Sequence, residues 1–162
     1  MSAKESWGNW WREFLGLAGD ASHSALEILT QRYVEKSQQV ERFRRQAERM
    51  QYPQFREKLS AIAADQNKHV DWIGEKIRLL GGRVPDIAAV EESEKTSWQY
   101  LLEDLSNEEK FSDGLIEQAQ RLREELPSVA DLLERMYQDG QSHREALREM
   151  LMRSDPQSHL SL

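Results

Sequence analysis

His69 and His143 are the side chains in this sequence best suited to chemistry. Each lies on the apolar stripe of a predicted helix, within ADQNKHVDW (64–72) and QDGQSHREA (138–146). An Asp precedes each His by four residues, at Asp65 and Asp139. The two copies are 74 residues apart, and Pro53 and Pro127 repeat that offset. An inward-facing imidazole either binds a divalent metal through a ring nitrogen or stays neutral in a hydrogen-bonded network. The duplication therefore predicts two helical hairpins, each contributing one His to a shared interior.

The neighbouring inner positions decide what that interior could hold. Gln66 stands three residues before His69, and Gly140 three before His143. Residues three apart on a helix share a side. Four-helix carboxylate bundles hold two metals with a Glu from each of two helices and a Glu-x-x-His from each of the other two. Here Gln66 offers a neutral amide oxygen and Gly140 offers no side chain. Asp65 and Asp139 sit about 100° from the centre of their stripes. They either complete an Asp-x-x-x-His chelate or pair with a nearby Lys or Arg. Glu108 falls on an inner stripe thirty-five residues before His143. A fold-back near Leu126-Pro127 places the two at similar heights. A buried Glu must be paired or neutralised, so Glu108 is a metal ligand or a partner of His143 or of a basic group. Tyr33 takes the corresponding slot in the first helix, where its hydroxyl could orient His69.

The candidate metal set is therefore His69, His143, Glu108, Gln66, Asp65 and Asp139. It would suit one divalent ion, iron, manganese, zinc or copper, and a metal-free network is the alternative. No catalytic residue is assigned. Gly81-Gly82 is a helix stop, not a phosphate cradle, HExxH is absent, and the Ser22-His23-Ser24 cluster has no orienting acid.

Four long helices must position these groups. The first runs from about Ser22 to Met50, with two period-seven series: Leu26, Tyr33, Val40, Ala47 and Leu29, Lys36, Phe43, Met50. The second runs from Pro53 to about Leu80, with the stripe Leu59, Ile62, Gln66, His69, Ile73, Leu80. The stretch GGRVPDIAA (81–89) then crosses to the other hairpin. The third is expected from about Glu91 to Leu126. At about 50 Å it is long enough to bend or break. The fourth starts at Pro127 and ends near Arg153, with Val129, Met136, His143, Met150 on its stripe.

The expected organisation is all-α: an aromatic amphipathic segment (1–19), an antiparallel four-helix bundle (20–153) and a flexible tail (154–162). In the first segment Trp7, Trp10, Trp11, Phe14 and Leu15 share one helix face. That face is a lid over the bundle or a docking surface for a partner. The segment carries no net charge, which does not suit an anionic lipid surface.

The 162 residues include no cysteine, so thiolate ligands, disulfides and cysteine nucleophiles are excluded. The net charge of −7 opposes general nucleic-acid binding. Arg42, Arg44, Arg45 and Arg49 cluster, but Glu41 and Glu48 dilute them into a solvated face. No apolar run is long enough to span a membrane. The start lacks the order of a secretory signal, so the expected location is cytoplasmic.

The segments QFREKLSAIAADQNKHVDWIGEKIRLLGG and VADLLERMYQDGQSHREALREML resemble the ferritin-like superfamily, within it rubrerythrin-like or small bacterial ferritin-like proteins. The resemblance covers about Ser22 to Arg153. It implies a bundle in which family Glu-x-x-His pairs fall on Gln66 and His69, and on Gly140 and His143. The remaining Glu ligands fall near Tyr33 and at Asn107 or Glu108. The di-iron set is thus incomplete. The implied protein is a homodimeric binding or scaffolding bundle, with the N-terminal aromatic helix as a partner contact. The alternative is a metal-binding or redox protein with a reduced His/Glu site.

Overall fold

A computed structural model describes residues 19–154, which form an antiparallel four-helix bundle from five helical segments. Helix α1 is Gly19–Arg49, α2 is Pro53–Leu79, α3 is Ser97–Ser112, α4 is Leu115–Leu122 and α5 is Pro127–Arg153. Segments α3 and α4 follow one another along a single limb. The expected aromatic segment and tail lie, apart from Gly19 and Ser154, outside the described residues.

Helix α1 packs against α2, and the α3–α4 limb packs against α5. The turn between α1 and α2 is tight because Pro53 starts α2 with its φ already helical. Helix α2 ends in a Schellman cap. Gly81 adopts φ +80°, its N–H donates to Arg78 O, and the Gly82 N–H donates to Ile77 O at 2.9 Å. Residues 83–96 then cross the bundle. The basic cluster on α1 holds this crossing segment: Arg45 donates to Val90 O at 3.1 Å, and Arg49 reaches Glu92 at 3.0 Å.

The third limb differs from its expected form at both ends and in the middle. It begins at Ser97, not near Glu91, because Thr96 and Gln99 form a reciprocal capping box. It breaks at Asp113-Gly114, where Gly114 takes φ +83°. A break frees carbonyls that need donors. Arg32 of α1 supplies them, donating to Phe111 O at 2.9 Å and to Asp113 O at 3.5 Å, and it also donates to the Gln118 side chain at 2.9 Å. The limb ends at Leu122, short of the expected Leu126, and Pro127 then opens α5.

Two apolar clusters form the core. One contains Ala25, Leu29, Ile73, Ile77, Leu115, Val129 and Leu133. The other contains Phe43, Met50, Phe55, Leu59, Leu101, Leu147 and Met150. Every limb runs from one cluster to the other. Between them each contributes polar or small residues: Lys36 from α1, Gln66 and His69 from α2, Glu108 from α3, and Gly140 and His143 from α5. The polar layer therefore lies at mid-height, enclosed by hydrocarbon above and below.

Candidate functional site

All of these polar side chains are almost fully removed from water. Lys36, Gln66 and Glu108 have no exposed surface, and His69 and His143 retain 1% and 4%. A charge buried this deeply requires a partner. Glu108 is the hub: Lys36 Nζ lies 3.4 Å from its Oε1, and Gln66 donates to the same oxygen. The Lys36 ammonium also sits 3.8 Å from the centroid of the Phe111 ring, whose face attracts a cation. Burial lowers the Lys36 pKa, and neighbouring Glu108 opposes that shift.

The two His–Asp pairs cross between the hairpins. His69 Nε2 of α2 lies 2.7 Å from Oδ2 of Asp139 on α5. His143 Nε2 of α5 lies 3.3 Å from Oδ2 of Asp65 on α2. Each His is thus bound to the Asp that precedes the other His. Burial holds the His69 pKa below its ordinary value, against the raising effect of Asp139. For Asp139, burial raises the pKa, but hydrogen bonds from His69 and Arg135 outweigh it and leave the carboxyl below its usual range. Neutral His69 therefore donates from Nε2 to a carboxylate, leaving Nδ1 with a free lone pair. That Nδ1 is buried without a hydrogen-bond partner, as are Nδ1 of His143, Oε1 of Gln66 and Oε2 of Glu108. The two imidazole centroids are 6.3 Å apart.

The structure brings Gln66, His69, Glu108 and His143 into one layer, as their helical spacing predicts. It places Asp65 and Asp139 at the rim, 50% and 25% exposed, with Lys68 and Arg135 as additional partners. The inner third-limb residue is Glu108, while half-buried Asn107 lies along an outer groove. Glu108 pairs with Lys36 and Gln66, not with His143. Tyr33 is displaced from the layer: its ring packs against Gly74, one turn beyond His69, and His69 bonds to Asp139 instead.

Lys36 is the central residue absent from the sequence-based candidate set. Its signal was present, because it occupies the period-seven series between Leu29 and Phe43, and all three are essentially inaccessible. The parallel series through Tyr33 begins at the bundle flank, where Leu26 and Tyr33 are only partly buried. Gly140 faces the carboxylate of Glu108. A methyl group there would lie 3.6 Å from Glu108 Oε2 and 3.3 Å from Nη1 of Arg144.

This architecture is that of a ferritin-type helical bundle, and the chain belongs to the ferritin-like domain family, whose pattern it matches over residues 24–154. The fold is similar to a mycobacterial bacterioferritin, with a TM-score of 0.70 and 20% identity over 79% of this chain and 83% of that one. It is also similar to Dps from Thermosynechococcus elongatus, with a TM-score of 0.71 and 18% identity over 88% and 97%. A bacterioferritin-related protein of Bacteroides fragilis, described as a dodecameric thioferritin, gives 0.70 and 14% over 82% and 86%. These identities establish a shared fold. No curated protein sequence matches the chain.

The central residues do not fit a two-metal carboxylate centre. Such a centre requires four carboxylates to balance two cations. The layer holds one, Glu108, and Lys36 and Gln66 already occupy one of its oxygens. Among the described residues, no group of three or more His, Asp or Glu side chains is arranged to hold a metal ion. Those residues also include no helix long and apolar enough to cross a membrane.

Proposed function

We propose that this is a non-catalytic member of its family, a binding or scaffolding bundle with a degenerate di-iron site. The observation that carries this reading is Lys36, a fixed positive charge at mid-height bound to the layer's one carboxylate. The two-hairpin duplication and the retained His69 and His143 support a place among rubrerythrin-like or small bacterial ferritin-like proteins. The working location is the cytoplasm, and an acidic surface argues against nucleic acid as a partner.

The chain pairs as a homodimer in this account. Trp72 and Leu79 support that assignment: they are seven residues apart on α2, share a face, and are 37% and 71% exposed. The N-terminal aromatic sequence, with Trp7, Trp10 and Trp11, supplies a contact for a further protein. Stopped-flow oxidation of ferrous iron in air tests the absence of catalysis. The expected rate equals that of buffer. A fast phase stoichiometric with protein overturns the reading.

The four unpartnered buried atoms of the central layer favour a second reading, a metal-binding or redox protein. In it a single iron, manganese, zinc or copper ion would use His69, His143, Glu108 and Gln66, with Asp65 and Asp139 orienting the imidazoles or acting as ligands. The same stoichiometric fast phase, lost on replacing either His, is its signature for iron.

A further inference from the structure

Helix α1, the crossing segment and the start of α3 enclose a cleft of about 390 Å³, apart from the mid-height layer. That volume is in the range of small-molecule sites. Most of the charges around it are matched. Arg45 is bound to Glu41 at 2.8 Å and to Val90 O at 3.1 Å, Arg49 is bound to Glu92 at 3.0 Å, and Lys95 is bound to Glu103. Arg42 is the exception. It makes no ion pair or hydrogen bond with a described residue, and its charge acts on Asp104 through space.

Gln46 also lines the cleft, and it is 3% exposed. Its Nε2 donates to Asp104 Oδ1 at 3.1 Å, which leaves Gln46 Oε1 and Asp104 Oδ2 buried without partners. A lone guanidinium favours an anion, and buried acceptor oxygens require donors. A simple anion brings no N–H donor for those oxygens. A simple amine is repelled by Arg42, Arg45 and Arg49. An α-amino carboxylate supplies both groups on one carbon. The remaining wall includes Ala89, Val90 and Tyr100, which offer apolar surface to a side chain.

We propose that this cleft binds a free α-amino acid with an apolar side chain. Arg42 takes the carboxylate, Gln46 Oε1 takes the ammonium with Asp104 behind it, and Ala89, Val90 and Tyr100 face the side chain. The site shares no residue with the mid-height layer, so its failure leaves the reading of that layer untouched.

Isothermal titration calorimetry of the full chain tests it, with L-valine, L-leucine, L-methionine and L-phenylalanine titrated singly. At least one is expected to bind with a Kd of about 1 mM or tighter. The desamino and the decarboxylated analogues of the binder are each expected to bind at least about tenfold more weakly. Arg42→Gln removes the guanidinium and Ala89→Trp fills the cleft from its exposed side; each is expected to weaken binding by a similar factor. If Arg42→Gln does not fold, as judged by circular dichroism, Ala89→Trp decides. No binding of any of the four amino acids overturns the proposal. Binding that survives Ala89→Trp unchanged places the site elsewhere and also overturns it. A desamino analogue that binds as tightly as the amino acid reduces the cleft to a simple anion site and rejects the assignment.

Discussion

His69 Nε2 lies 2.7 Å from the carboxylate of Asp139, an acid on the opposite hairpin that precedes the other histidine. The reciprocal pair, His143 with Asp65, is longer at 3.3 Å, and its acid is more exposed. Pseudo-twofold packing of the duplicated hairpins explains the exchange: α2 and α5 cross with equivalent faces together. The two contacts hold the hairpins in register, with unequal strength.

Asp139→Ala leaves a buried imidazole N–H without its acceptor. The expected loss of stability is about 1–3 kcal/mol. Asp65→Ala is expected to cost less, because its contact is longer and more open to water. Urea unfolding at pH 7 measures both. An Asp65→Ala loss equal to or above that of Asp139→Ala would contradict the asymmetry.

Lys36 and Glu108 provide the second test. Removing either partner leaves an uncompensated buried group, so Lys36→Met and Glu108→Gln are each expected to cost about 3–5 kcal/mol. Together they cost less than the sum of the singles, because the double variant contains no unpaired central charge. Additive losses in a denaturant double-mutant cycle would show that the two groups do not act as a pair.

Much of this was legible in the sequence. The 74-residue offset marked the two hairpins, and heptad spacing placed His69, Gln66, Glu108 and His143 inside. Lys36 was visible in a buried series, but an isolated lysine more commonly extends its ammonium to solvent. Only the packing shows that Leu29 and Phe43 lie on the bundle axis, which leaves Lys36 no exit. The crossed His–Asp pairs were also hidden. Helical spacing identifies neighbours along one helix, whereas these contacts depend on the height at which α5 meets α2. The late start of α3 reflects the local capping chemistry of Thr96, which overrides a weak helical pattern upstream.

Asp104 adds a pH dependence. It is buried, and burial raises its pKa to about 7 despite a hydrogen bond from Gln46 at 3.1 Å. The folded pKa thus exceeds the unfolded value near 3.8. The stability associated with the protonated acid is fully present below about pH 4 and is lost as pH rises through about 7. Asp104→Asn keeps the shape without the charge. Relative to wild type it is expected to gain stability between pH 4 and 8, on the order of 3–5 kcal/mol at the upper end. Stability curves for the two proteins that stay parallel over that range would refute the assignment.

The central claim is that a lysine, not a metal, supplies the positive charge at mid-height. Elemental analysis of untagged protein, expressed with iron, manganese, zinc and copper supplements, tests it most directly. The account predicts no metal above background in wild-type protein. One or two tightly held equivalents, lost on His69→Ala or His143→Ala, would contradict it.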